Sequence, residues 1–209
     1  YFEGDILKIG LIKVMSKFSK KAYHSKVSPI KFKTFEDPKL PKEDWVRVKN
    51  IETGICGSDM TFYTCAQGPS TAFLPIPCSK ITYLGHETVG EVVEVGSKVK
   101  NFKVGDRVCM NKYMACCDLK GYDKQDECEM CKAGNYADCE NYGEPSKVNI
   151  YAGAGMGDSY LAPEGQLLSV EGLTDDEEVL IEPFAVSLHA ALKCVPKEGE
   201  KVLVIGAGM

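Results

Sequence analysis

The chain has 209 residues, 44% of them apolar and 26% charged, with 20 Gly and 10 Pro, a balance that excludes collagen, long coiled coils and wholesale disorder. Its 25 basic and 30 acidic residues give a net charge of −5. The two signs read as mixed along the chain, so no basic face for a nucleic-acid backbone is expected. No apolar run approaches the ~20 residues of a membrane-spanning helix, so no membrane partner is expected either.

Ile6 to Val14 (ILKIGLIKV) mixes apolar and polar residues at short period and predicts a strand. Trp45 to Lys49 alternates cleanly as a second, and Thr88–Val95 and Val104–Met110 repeat the pattern between glycine turns. The first two thirds therefore predict a β-barrel or sandwich. Asn111 to Gly143 is polar, rich in cysteine and without period, so it needs a source of order other than apolar burial, and a metal would supply it. Further on, Thr174-Asp175-Asp176-Glu177 fits a capping box, and Pro183 suits the first turn of a helix running through His189 to about Lys193. Lys201 to Met209 (KVLVIGAGM) predicts a continuous apolar strand entering Gly206-Ala207-Gly208, the opening of a dinucleotide-binding unit whose remainder would lie beyond Met209. No apolar secretory segment opens the chain, which makes the cytoplasm the default location, and ten cysteines there are thiols or metal ligands before they are disulfides.

Two constellations carry chemistry. In the first, Gly54-Ile55-Cys56-Gly57-Ser58-Asp59 is followed by Gly85-His86-Glu87 and, far downstream, by Glu182-Pro183. Thiolate, imidazole and carboxylate are the donors of catalytic zinc sites, where three protein ligands leave one position open. His86 and Glu87 are neighbours, so an extended strand would point them to opposite faces, and both reaching one metal requires a bend, for which Gly85 is suited. Taken singly, Cys56 and His86 read as buried structural residues. In the second, Cys128-x2-Cys131-x7-Cys139, preceded by Cys116-Cys117, has the spacing of a closed tetrahedral zinc site.

The run from Gly85-His86-Glu87 through Gly90 and Gly96 to Val99 resembles the signature of zinc-containing alcohol dehydrogenases of the medium-chain dehydrogenase/reductase family. The Gly-Ile-Cys-Gly-Ser-Asp run at 54–59 and Glu182-Pro183-Phe184-Ala185-Val186 with His189-Ala190 resemble two further blocks of that family. The polyol, sorbitol and threonine dehydrogenase branch is the one with a glutamate like Glu182. The resemblance implies a mainly β fold with short helices, a GroES-like barrel over residues 1–173 with a zinc lobe at about 111–143. Residues 174–209 would then be connecting helices and the first strand of a Rossmann domain.

By the same resemblance Cys56, His86, Glu87 and Glu182 serve a catalytic zinc, one carboxylate being exchangeable. Asp59 orients His86, Ser58 takes the alcohol's proton, and Gly206 and Gly208 face NAD or NADP. Alternatives at those positions are a helix cap for Asp59 and a solvated turn for Ser58. Cys116, Cys128, Cys131 and Cys139 would hold a structural zinc, with Cys117 able to replace Cys116. The loop between the first two is nine residues longer than the family's, at a closure cost of ~1–2 kcal/mol against ~10 kcal/mol for a structural zinc. His189 reads as a satisfied core residue, His24 as a surface one, and Cys65, Cys78, Cys109 and Cys194 as free thiols. The expected activity is oxidation of a secondary alcohol or polyol with hydride transfer to NAD(P), by a homodimer or homotetramer. A non-catalytic zinc module and a zinc-free quinone-type reductase stand as the alternatives.

Overall fold

The computed structural model describes residues 1–34, 36, 38–66, 81–111, 114–120, 124–141 and 153–206. Its centre is an open, half-barrel sheet of five antiparallel strands. In sheet order these are β6 (Ser159–Pro163), β2 (Trp45–Thr53), β4 (Thr88–Val95), β5 (Arg107–Met110) and β7 (Leu167–Ser169). β2 and β4 form the spine, and two register shifts in their ladder, at Arg47/Val48 and Asn50/Glu52, bend it. Alternation decides which side is core: Val46, Val48, Val92, Val108, Tyr160 and Ala162 pack together on one face. On the other, Arg47 pairs across the ladder with Glu94 at 2.8 Å.

The strand expected at Ile6–Val14 is instead a helix, α1 (Ile6–Phe18). Asp5 accepts from the backbone N–H groups of Leu7 and Lys8 at 3.0 and 3.1 Å, which starts the helix. Ile9, Ile12 and Ser16, three and four residues apart, form its buried face. That face packs against Phe2, Ala22 and Cys65, with Phe62 at the edge. Phe2 lies in a short strand, β1 (Phe2–Glu3), paired with β3 (Ile81–Thr82). Phe62 belongs to α2 (Gly57–Tyr63), and its ring stands 5.0 Å from that of Phe2. The N-terminal unit thus buttresses the helix that follows Cys56.

The cysteine-rich segment holds only short turns of helix, α3 (Cys116–Lys120) and α4 (Glu129–Lys132), with 3₁₀ turns at Lys124–Asp126 and Tyr136–Asp138. After the sheet, α5 (Asp175–Glu178) opens with Glu177 accepting from the Thr174 N–H at 2.9 Å. Arg107 of β5 clamps α5 through Asp175 at 2.8 Å and through Glu178. The expected helix follows as α6 (Ile181–Lys193), with Pro183 in its first turn. His189 is exposed on α6, so it is not the satisfied core histidine expected; the outer face of this helix is apolar yet uncovered among the described residues. Residues 201–206 form no strand: Val202 to Ile205 are exposed, and no ladder pairs them. An apolar run becomes a strand only where another strand satisfies its backbone groups. Gly206 has φ 102°, while Gly208 and Cys78 lie outside the described residues. No described helix is long and apolar enough to cross a membrane.

Candidate metal centres

β2 ends at Thr53 and the chain turns through Gly54 and Ile55 to Cys56, which caps α2. Asp59, in the first turn of α2, is only 4% exposed. One of its carboxylate oxygens accepts from the Cys56 N–H at 3.0 Å and the other from the Gly85 N–H at 3.1 Å. A single buried carboxylate therefore binds both segments that carry candidate ligands. A second tie is the Gly54 N–H donating to the Glu87 carbonyl at 2.8 Å. Gly54 has no room for a side chain, because a Cβ there would collide with the Glu87 carboxylate. Gly85 takes φ 85°, a left-handed conformation, and a Cβ on it would meet the Met156 backbone N at 2.6 Å. The chain bends again at Glu87. With the segment bent, not extended, His86 and Glu87 reach the same point.

The outcome is that one donor atom from each of Cys56, His86 and Glu87 lies within 4.8 Å of the other two. Glu87 is 7% exposed, and no ion pair among the described residues reaches it. The carboxylate, with a thiol and an imidazole beside it, makes up a donor set of the kind that zinc takes. Asp59 stands 4.0 Å from His86 Nδ1, beyond hydrogen-bond range. The helix N-cap is thus Cys56 and not Asp59, which stands two residues into the helix, reaches back to the Cys56 N–H and is also the neighbour of His86. Ser58 is half-buried in the same first turn. Glu182, in the first turn of α6, is half-buried and stands outside the three-donor group.

The second cluster gathers Cys116, Cys128, Cys131 and Cys139, one sulfur from each lying within 4.8 Å of the others. Cys117, its neighbour on α3, is not in the group. The Cys128 and Cys139 sulfurs are 4.0 Å apart, far beyond a disulfide bond and close to the ~3.8 Å edge of a tetrahedron of sulfurs bound at ~2.3 Å to one zinc. Two donors point at the sulfurs: the Cys131 N–H at Cys128 Sγ at 3.5 Å, and the Asn141 amide at Cys116 Sγ at 3.4 Å. That backbone N–H is the first cause bringing the Cys128 thiol down to about 6, whereas burial pushes Cys131 and Cys139 up. Sequence reasoning missed Asn141 and Gly54. Nothing in their local spacing distinguishes an amide aimed at sulfur, or a glycine emptied for a carboxylate, from ordinary loop residues. Of the remaining cysteines, Cys65, Cys109 and Cys194 are free thiols, and burial raises Cys109 to about 11.

A half-barrel sheet that presents a mixed three-donor site at a strand end, with a four-thiol lobe beside it, defines a GroES-like metal-binding domain of the dehydrogenase type. Residues 42–172 match the alcohol dehydrogenase GroES-like domain. The chain belongs to the zinc-type alcohol dehydrogenase-like branch of the medium-chain dehydrogenase/reductase family. It is 31% identical over 169 residues to the L-galactonate-5-dehydrogenase of Escherichia coli (strain K12), a match covering 81% of this chain and 44% of that protein. It is 32% identical over 179 residues to the sorbitol dehydrogenase of Bacillus subtilis (strain 168), covering 86% and 46%. The crystal structure of 2R,3R-butanediol dehydrogenase from Bacillus subtilis superposes with a TM-score of 0.60 at 28% identity, over 82% of this chain and 46% of that one. The chain thus spans a little under half the length of the relatives it matches.

Proposed function

We propose that this domain provides the metal-dependent half of a dehydrogenase that oxidises a secondary alcohol or polyol, or reduces the matching ketone, with NAD or NADP as partner. The observation that carries this reading is the convergence of Cys56, His86 and Glu87 from two segments about thirty residues apart. The mixed thiol, imidazole and carboxylate set suits a zinc with an open position, and the four thiols suit a second zinc that is closed and structural. When bound, zinc would supply Lewis acidity toward a hydroxyl, and the nicotinamide a hydride acceptor. The chain's own residues do the rest. Asp59 holds the Cys56 and Gly85 segments in register and keeps His86 aimed. Ser58, two positions from Cys56, takes the hydroxyl proton. Glu182, outside the three-donor group, is the exchangeable carboxylate.

The reading extends to residues 174–209 as connecting helices and the start of the cofactor domain, with Gly206 and Gly208 facing the dinucleotide. The intact enzyme is then a homodimer or homotetramer in the reducing cytoplasm, where thiols stay available to metal. Elemental analysis with cobalt substitution tests it. Two metal equivalents per chain are expected, and Cys56→Ala should remove one while leaving the four-sulfur cobalt charge-transfer band intact. A wild type with no metal, or a Cys56→Ala protein that keeps both equivalents, overturns the proposal.

A further inference from the structure

The net charge of −5 conceals a segregation. The first 34 residues hold eight lysines against Glu3 and Asp5, a net +6, and the remainder of the chain carries −11. The folded structure makes that stretch one unit, since α1, the 3₁₀ turn Lys20–His24 and the strand pair of Phe2 share a single apolar cluster. The expectation of evenly mixed charge is corrected accordingly. α1 itself contains Lys8, Lys13 and Lys17 and no acidic residue. Its buried face is Ile9, Ile12 and Ser16. On the opposite side Leu7, Leu11, Val14 and Phe18, spaced four, three and four residues apart, make a second apolar stripe. That stripe faces solvent, with Leu7 84% and Phe18 87% exposed. Lys13 and Lys17, four residues apart, shoulder it on one side, and Lys8, paired with Glu3 at 2.6 Å and Asp5 at 3.7 Å, stands on the other.

We infer that α1 docks this apolar stripe onto an anionic phospholipid surface. Four large apolar side chains held outward in a row constitute a binding face, not scattered exposure. The lysines at its shoulders supply the complementary charge for phosphate and carboxylate headgroups, and their stems reach past an inserted stripe. A 13-residue helix is about 20 Å long, short of the ~30 Å hydrocarbon core, so it lies on the surface and does not cross it. The early expectation of no membrane partner rested on spanning length and on reading residues 6–14 as a strand; neither bears on an interfacial helix. Pairing of α1 with a second copy is disfavoured because the lysine shoulders would face each other, and two heptads fall short of a coiled coil. A nucleic-acid face is disfavoured because its contacts need no Leu7 or Phe18.

Cosedimentation of the full 209-residue chain with vesicles of phosphatidylcholine, alone or with about one third phosphatidylserine, tests the inference. Binding is expected only to the anionic vesicles and should weaken as salt rises from about 0.1 to 0.5 M. Lys13→Gln with Lys17→Gln should weaken it about fivefold for each lysine removed. Leu7→Ser with Phe18→Ser should weaken it by tenfold or more while metal content stays that of the wild type. As a check that needs no loss of function, Phe18→Trp should shift its emission to shorter wavelength with anionic vesicles and stay unshifted with neutral ones. Equal binding to both vesicles, no binding, or unweakened binding by the serine variant overturns the inference. So does a lipid-independent dimer that the serine variant dissolves.

Discussion

The four-thiol cluster draws every donor from residues 116–139, whereas the three-donor cluster joins Cys56 to His86 and Glu87 across about thirty residues of intervening chain. The two also differ in what holds them. Among its described residues the lobe has little apolar core of its own, since its buried cluster is largely Ala115 and the cysteines themselves, and its helices there are of one turn. The three-donor cluster rests on the sheet through Thr53, Thr88 and the bonds of Asp59 and Gly54. A metal in the lobe would therefore be part of the fold, while a metal at Cys56 would be a guest of a fold already made.

Removing a lobe ligand should show the larger effect. Cys131→Ala is expected to lose one metal equivalent and the hydrogen-exchange protection of residues 124–141, because ~10 kcal/mol of metal binding is the main source of order there. A lobe that stays protected without metal would break the contrast. His86→Ala should lose the other equivalent and yet lower global stability by clearly less than Cys131→Ala does, because the bonds of Asp59 and Gly54 hold its segments without metal. Thermal unfolding beside metal analysis separates the two, and a His86→Ala protein that unfolds like Cys131→Ala would erase the distinction.

Asp59→Asn probes the tie between the ligand segments. The amide offers one oxygen where the carboxylate offers two, so it cannot accept from both the Cys56 and Gly85 N–H groups. One buried donor is left unpaired at a cost of about 1–3 kcal/mol. Metal affinity at the three-donor site should fall 10- to 100-fold, the usual range for a partner that orients a ligand, with the lobe metal retained. Competition with a chelating dye measures this. Loss of the lobe metal together with the other would mean that Asp59 holds the whole domain instead of one site.

Both sites were legible from sequence to different depths, and the reason is the same contrast. Cys128-x2-Cys131 announces itself because one turn of chain sets the ligand geometry, and the strands at Trp45 and Thr88 follow from alternation that tertiary packing confirms. Cys56 and His86 carried weight only through resemblance, since no local rule relates residues so far apart. Ile6–Val14 misled because three isoleucines three residues apart fit a helix face as well as a short alternation; the deciding signal was Asp5 as a cap. The strand at Val202 failed for the converse reason: its pattern is right, but a strand is a property of a pair. The roles of Asn141 and Gly54 depend on what approaches them in three dimensions.

A pH profile of the metal-free lobe distinguishes the thiols from one another. The Cys131 N–H favours the Cys128 thiolate and brings that thiol to about 6, below the ordinary value of 9.0, while burial raises Cys131 and Cys139. A depressed thiol contributes stability above its unfolded value and loses it as pH falls through about 6, so Cys128 is the thiol already ionised at neutrality. After chelation, iodoacetamide at pH 7 should modify Cys128 ahead of Cys131 and Cys139, with a rate that falls as pH drops through about 6. Peptide mapping reads the order. First modification at Cys131 or Cys139, or a Cys128 profile centred near 9.0, would show that the Cys131 N–H does not prepare this thiolate, and that the lobe waits on the metal for all four of its ionised ligands.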